Sequence, residues 1–369
     1  GMTPAYARYH YAEYFRDTTF FHIVHNLEKG YIGDLYPSED LGYIHELPSE
    51  LLNNPGPTSI NLSMCALKTS DNWGTVSKSY MEDALRGSPL SYHLRRFEHP
   101  FACSNGISVK ARTEMLRKIS PTFDHAECKR QLQQKYFGRV DPDTPLFGFV
   151  GRICEQKGVF LLLDAIWNIV KDTEGKCQFI VGGMAPNDDP YAVACASKIR
   201  EMREKIPQCI WADPTAFFTD GPLMSLGCDF TCMPSMFEPS GLVQQESFLG
   251  GTPVIAFQTG GLKDTVFEYN AELKTGNGFV FQAFAHGDLV YAIKRAIDLF
   301  KQPDEYAVLR ANALGDYLFC VPALDALRAA YPHAEITLLA RPWHAEFLRG
   351  RPGPVDRVVV VPPSRGVRE

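Results

Sequence analysis

The sequence predicts an α/β protein made of two Rossmann-like domains, and three observations carry that prediction. The 369 residues suffice for two domains with cores of their own, and 45% hydrophobic with 22% charged residues is an ordinary globular balance. From about residue 145 short β-branched or apolar runs alternate with longer helical patterns, the rhythm of a parallel sheet covered on both faces. Ahead of that stretch, residues 1–138 contain a few more strand-like runs separated by helical and loop text, which is part of a second α/β domain.

Taken in order, the first domain (1–138) offers strands at "FFHIVHN", "NWGTVS" and "FACSNGI". They are too few for a whole domain, so further strands are expected from outside these residues. The second domain (139–302) is complete. It opens on the strand "LFGFVGRI", the helix "VFLLLDAIWNIVKD", the strand "CQFIVGG" and the helix "DPYAVACASKIREMREKI". It continues through the strand "CDFTCMPS", a helix after Ser240, the buried strand "TPVIAF", the turn "QTGG", a short helix from Leu262, a strand near "GFVF" and a helix from about Asp288 to Phe300. Pro303 and Asp304 in "KQPDE" mark the next boundary. The last segment (303–369) then reads as a βαβαβ unit, from the strand "AVLRAN" and the loop "ALGD" to the strand "VDRVVVVPP", the way such domains usually begin.

The formal net charge is −6 and the positive residues are spread out, so no basic face exists to track a nucleic acid or an anionic membrane. Ten cysteines stand at irregular spacings; Cys228 and Cys232 are the only close pair and lack the partners of a zinc site, so no metal is expected. They read as reduced thiols of a cytoplasmic protein. No run reaches the roughly 18 apolar residues of a membrane span, and "GMTPAYARYH" lacks the apolar stretch of a signal peptide, its first glycine reading as a cleavage scar.

Chemistry is most legible in "FEPSGLVQQE", which sets Glu238 and Glu246 eight positions apart with a helix start between them. If Ser240 caps a helix running to Gly250-Gly251, Glu238 lies on the loop at the carboxyl end of a strand and Glu246 in the second turn. Both then face the crevice where open α/β sheets bind ligands. Glu238 can accept hydrogen bonds from sugar hydroxyls, Glu246 can bind a vicinal diol such as a ribose, and the helix start around Gly241 can hold a phosphate. The plainer alternative is a solvated helix residue and a surface acid. "GRICEQKG" puts Arg152 and Lys157 just after the first strand of the same domain, where a diphosphate would sit. "QTGG" supplies Thr259, Gly260 and Gly261 ahead of another helix start, where backbone N–H groups approach phosphate closely. Each element alone is weak, but all fall at carboxyl ends of strands of one domain.

The run "GRICEQKG…MPSMFEPSGLVQQESFLGGTPVIAFQTGGLKDTV" resembles the nucleotide-binding domain of glycogen and starch synthases, the retaining glucosyltransferases of glycosyltransferase family 5. The likeness extends upstream through "VHNLEKG", "WGTVSKSY" and "SNGI" and covers about residues 18–300. It implies the GT-B fold, two Rossmann-like domains with the active site between them. It also implies that Arg152 and Lys157 hold the donor diphosphate, that Glu238 meets the glucosyl hydroxyls, that Glu246 lies near the ribose and that His25 stands beside the reacting sugar. From the residues alone His22, His25 and His45 remain equally open for that last place.

The family carries near its N-terminus a stretch of the type K-x-G-G-L-G-D, which the start of this chain lacks. The tail, from about residue 308 to 369, reads "RANALGDYLFCVPALDALRAAYPHAEITLL" instead, where Arg310 and Leu314-Gly315-Asp316 fall on a similar pattern. This segment resembles the opening of the heptosyltransferases of lipopolysaccharide synthesis, glycosyltransferase family 9. Two explanations stay open: the tail completes the first domain, giving a circularly permuted GT-B protein with Arg310 and Gly315 at the donor site, or it is the start of a separate module in a chimera.

The resemblance implies transfer of glucose from ADP- or UDP-glucose to an α-1,4-glucan with retention, with no cofactor beyond the donor. A heptosyltransferase-like enzyme and a catalytically silent sugar-nucleotide or glucan-binding protein are the alternatives.

Overall fold

The computed structural model describes residues 2–28, 31–35, 47–52, 60–314, 327–340 and 354–360. By internal contacts the chain divides into two units: residues 1–106 with 237–242 and 258–265, and residues 107–236 with 243–257 and 266–369.

In the first unit β1 (Phe21–Val24) runs parallel to β4 (Asn72–Thr75), which runs parallel to β5 (Phe101–Ala102). The short β2 (Asp34–Leu35) and β3 (Ile60–Asn61) pair antiparallel beside them. All three strands expected here are present. Their core closes on Trp73, fully buried with Val24, Leu27, Met64, Leu67 and Leu94. Its indole N–H donates to the Leu94 carbonyl at 3.1 Å, which satisfies the polar end of an otherwise apolar side chain. The helix Leu62–Thr69 starts at Asn61, whose side chain accepts from the Met64 amide at 2.7 Å. Ser77 caps the helix Lys78–Gly87 in the same way, accepting from Tyr80 at 3.2 Å.

The second unit holds a six-stranded parallel sheet formed by β6 (Leu146–Val150), β7 (Gln178–Gly182), β8 (Ile210–Ala212), β9 (Phe230–Met233), β10 (Val254–Phe257) and β11 (Gly278–Phe281). Across the sheet the order is β11-β10-β9-β6-β7-β8. This is the doubly wound order, and its direction reverses between β6 and β9. Phe147 stacks between Phe179 and Phe230, with ring centroids 4.7 and 5.5 Å away, so three neighbouring strands share one aromatic layer. Leu162, Leu163, Ile166 and Ile169 of the helix Val159–Asp172 and Leu289, Ile293 and Ala296 of the helix His286–Phe300 pack on it. Their three- and four-residue spacing is the periodicity that announces both helices in the sequence. Two elements carry no such signal, the three-residue edge strand β8 and the short helix Gly221–Gly227.

The boundary expected at 138/139 falls at 106/107. Hydrophobic packing moves it. Leu132 and Phe137 of the helix His125–Phe137 are buried with Leu146, Met224 and Cys228, and Leu116 and Cys128 are buried with Leu226 and Leu249. The tail departs further. "AVLRAN" is not a strand but part of the helix Pro303–Leu314, which buries Leu309 and Ala313. Beyond it, β12 (Thr337–Ala340) and β13 (Arg357–Val360) pair parallel with each other in a sheet of their own. Among the described residues they extend neither β1 nor β5, so the described tail does not supply the strands that the permuted arrangement requires. Most of the stretch that resembles heptosyltransferases, Gly315 and Asp316 included, lies outside the described residues.

Candidate active site

In an open doubly wound sheet a ligand binds outside the carboxyl ends of the two strands where the order reverses. Here those strands are β6 and β9, paired Phe147 to Phe230 and Gly148 to Thr231. The segment leaving β6 carries both predicted cations, with buried Ile153 as its anchor. Arg152 is exposed, its guanidinium 3.5 Å from the Gln156 side-chain oxygen, and half-buried Lys157 ends the 3-10 turn Glu155–Lys157. Gly158 follows at φ 62°, and a β-carbon there would overlap the Pro234 carbonyl oxygen. Only glycine lets the start of the helix Val159–Asp172 lie this close to the segment leaving β9. The Met236 amide donates to the Gln156 carbonyl at 2.9 Å and stitches the two segments together. Arg152 and Lys157 are thus held at the reversal point, with their backbone fixed from both strands.

Glu246 stands on the helix Val243–Leu249. That helix begins at Val243, two residues later than a cap at Ser240 would set it, so Glu246 lies in its first turn rather than its second. Gly241, at φ 74°, belongs to the turn between them. The helix is tied to the sheet by the Ser247 hydroxyl, 2.9 Å from the Thr231 hydroxyl on β9. The Glu246 carboxylate meets Arg112 of the helix Val109–Ile119 at 2.7 Å, a partner that sequence spacing gave no means of finding.

The other predicted residues belong to the first unit. Glu238 is 7% exposed, and its carbonyl accepts from the Gly261 amide at 2.9 Å. β-Carbons at Gly260 and Gly261 would overlap the carbonyl oxygens of Glu238 and Ser240, so this glycine pair is what lets the segment 258–265 pack backbone to backbone on 237–242. The Gly261 N–H is therefore committed internally. The Thr259 carbonyl accepts from Leu262 and Lys263 at 3.0 and 3.2 Å and opens the helix Gly260–Thr265. Both segments are fastened to the helix Lys78–Gly87. The Ser77 hydroxyl donates to the Pro239 carbonyl at 2.5 Å, and the Ser79 amide and hydroxyl donate to Asp264 at 3.0 and 2.5 Å. Glu238, Gly241, Thr259, Gly260 and Gly261 are accordingly brought together. His25, at the end of β1, is exposed and lines a cavity of about 270 Å³ with His22, Asn26, Tyr31, Gly33 and Ser63. Burial pushes the His22 imidazole down to about 4, so it is neutral at neutral pH. His45 lies outside the described residues.

Arg310 requires a correction. It sits on the helix Pro303–Leu314, 3.3 Å from the His125 ring and 3.5 Å from the Tyr306 hydroxyl. That places it beside buried Asp229, at the amino ends of β6 and β9, the edge opposite the reversal-point crevice. Lys129 pairs with Asp229 at 2.8 Å, the Tyr306 hydroxyl donates to it at 2.9 Å, and the Leu146 amide donates to it at 2.7 Å. Burial alone would raise the Asp229 carboxyl, but His125 and Lys129 hold it below the usual carboxylate value. Arg310 therefore belongs to a polar network that fixes strand ends. Gly315 lies outside the described residues.

Among the described residues no group of three or more His, Cys, Asp and Glu is arranged to hold a metal ion, and no helix is long and apolar enough to cross a membrane. Residues 133–313 match the family of group 1 glycosyl transferases, and residues 1–96 match the starch synthase catalytic domain. A glycogen synthase of Fervidobacterium nodosum is 31% identical over 304 residues, covering 79% of this chain and 60% of that protein. One of Exiguobacterium sibiricum is 30% identical over 355 residues, covering 90% of this chain and 70% of that protein. The chain thus spans between 60% and 70% of the length of these two relatives. Among solved structures, the catalytic domain of starch synthase IV from Arabidopsis thaliana, bound to ADP and acarbose, superposes with a TM-score of 0.69 at 21% identity, over 89% of this chain and 70% of that one.

Proposed function

The chain belongs to the glycogen and starch synthase family of GT-B glycosyltransferases, and on that premise we propose that it transfers glucose from ADP- or UDP-glucose to the nonreducing 4-hydroxyl of an α-1,4-glucan with retention. The observation that carries the reading is the pair of cations at the reversal point, Arg152 and Lys157 on a segment stitched to the one leaving β9. The bound ADP of the starch synthase IV relative supports a nucleoside diphosphate as the leaving group.

The bond that breaks joins the anomeric carbon of the donor glucose to the diphosphate oxygen, and negative charge grows on that oxygen as it departs. Arg152 and Lys157 meet this charge with fixed positive charge that needs no reorganisation during the reaction. The acceptor hydroxyl attacks from the face that the diphosphate leaves, its oxygen bonds to the anomeric carbon, and its proton passes to the departing phosphate oxygen. No separate acid–base pair is then needed. Glu238 takes hydroxyls of the transferring glucose and Glu246 the ribose diol. Thr259 and Gly260 approach the phosphates, His25 stands beside the reacting sugar, and no metal or cofactor takes part. The protein would work in the cytosol, on glucan and nucleotide-sugar.

The full chain, incubated with radiolabelled ADP-glucose or UDP-glucose and a glycogen primer, is expected to build label into α-1,4-linked polymer. Donor binding without any transfer of label would replace this reading with that of a silent binding protein.

A further inference from the structure

We infer that Arg112 is a positioning residue that presets the Glu246 carboxylate for the ribose diol of the donor nucleotide. The inference rests on the ribose role proposed above for Glu246.

Two helices and one apolar contact build the pair. Leu116 of the helix Val109–Ile119 and Leu249 of the helix Val243–Leu249 are buried in the same cluster, with Cys128 and Leu226. Arg112 lies one turn before Leu116, and Glu246 lies one turn before Leu249. In each helix the charged residue and the leucine therefore share a face, at i,i+4 and i,i+3 spacing. Packing the leucines sets the register that brings the Arg112 guanidinium to 2.7 Å from Glu246 Oε1. The second helix cannot slide along the first without losing this cluster or the Ser247 to Thr231 hydrogen bond, 2.9 Å long, that ties it to β9.

As a stabilising ion pair this contact has little to offer. Its side chains are 42% and 34% exposed, and exposed pairs contribute little to folding. The same exposure leaves the carboxylate reachable by a ligand. A glutamate that must grip two vicinal hydroxyls pays to fix three side-chain torsions, and a partner that already holds one oxygen removes part of that cost before the nucleotide arrives. Oε1 can still serve, because each carboxylate oxygen carries two lone pairs and can accept from Arg112 and a hydroxyl together. The guanidinium also offsets the charge of Glu246, which would otherwise repel the diphosphate of the same donor.

The test is calorimetric titration of the full chain with ADP or UDP, whichever the unmodified protein binds more tightly, and with its 2′-deoxy form. The ratio of the two affinities isolates ribose recognition. Glu246→Gln should bring that ratio close to one. Arg112→Gln should weaken ribonucleotide binding by about 3- to 10-fold, the scale of losing one preordered side chain, and lower the ratio with it. In the Glu246→Gln background Arg112→Gln should add nothing, and Arg112→Lys should restore part of the ratio. If Glu246→Gln collapses the ratio while Arg112→Gln leaves it intact or raises it, the positioning role is refuted and the ribose role stands. If Glu246→Gln leaves the ratio unchanged, or neither nucleotide binds, both roles fall.

Discussion

Arg152 and Lys157 illustrate what single residues disclose. Two cations just after an apolar run can be placed at a strand end from sequence alone, because the carboxyl end of a parallel strand is where such sheets bind anions. If they stabilise the departing diphosphate, Lys157→Ala and Arg152→Ala should each lose about 2–4 kcal/mol of transition-state stabilisation, as for other preorganised groups that face developing charge. Neither is buried, so the melting temperature should hardly move while kcat/KM falls. Unchanged turnover in either variant would remove the leaving-group role. Arg112 shows the opposite limit. It meets Glu246 only because two leucines on different helices pack together, and nothing local to either residue announces that. Arg310 was drawn to the donor site by the "LGD" pattern that follows it, whereas its surroundings are those of a buried aspartate. Asp229 did leave a trace, since an acid directly ahead of a buried apolar strand must be matched by hydrogen bonds and cations.

At the level of elements, periodicity decided what could be read. The helix Val159–Asp172 coincides with the stretch expected, and every six-stranded-sheet strand except β8 has its apolar run. The local β-branched, apolar text of "AVLRAN" suggests a strand, but the wider frame is helical. Pro303 followed by Asp304 and Glu305 is a helix start, and Tyr306, Leu309 and Ala313 repeat at helical spacing. Glycines carry the tertiary information that periodicity omits. Gly158 combines a left-handed backbone with a contact that leaves no room for a β-carbon against Pro234. Gly158→Ala is therefore expected to cost more than the roughly 1 kcal/mol of an ordinary glycine replacement at positive φ. It should also displace the Arg152–Lys157 segment. Urea unfolding should show the loss, and donor affinity should fall with it. A variant as stable as the parent would mean that the approach to Pro234 can relax at no cost.

For the whole molecule, the sequence disclosed the doubly wound sheet but not how the chain divides. Residues 237–242 and 258–265 belong with residues 1–106 through particular hydrogen bonds of Ser77, Ser79 and Asp264, and such long-range pairs leave no periodic mark. Nor does the chain divide at Pro303, since residues 266–369 fall in one unit. The helix Pro303–Leu314 buries Leu309 and Ala313 completely or nearly so and brings the Tyr306 hydroxyl to Asp229 at 2.9 Å. A chain cut after Gln302 loses one fully buried leucine, worth about 1.5–3 kcal/mol. It also strips a hydrogen bond from a buried carboxylate, for about 1–3 kcal/mol more. Against the roughly 5–15 kcal/mol by which domains are stable this is a large share. A domain of this size should then melt about 5–20 °C lower. A chain cut after Leu314 keeps the helix and should melt with the parent, because β12 and β13 pair only with each other among the described residues. Thermal melts of the two truncations side by side decide the matter. If the cut after Leu314 unfolds the six-stranded unit as the cut after Gln302 does, residues beyond 314 contribute to its core and the helix Pro303–Leu314 is not the last element it needs.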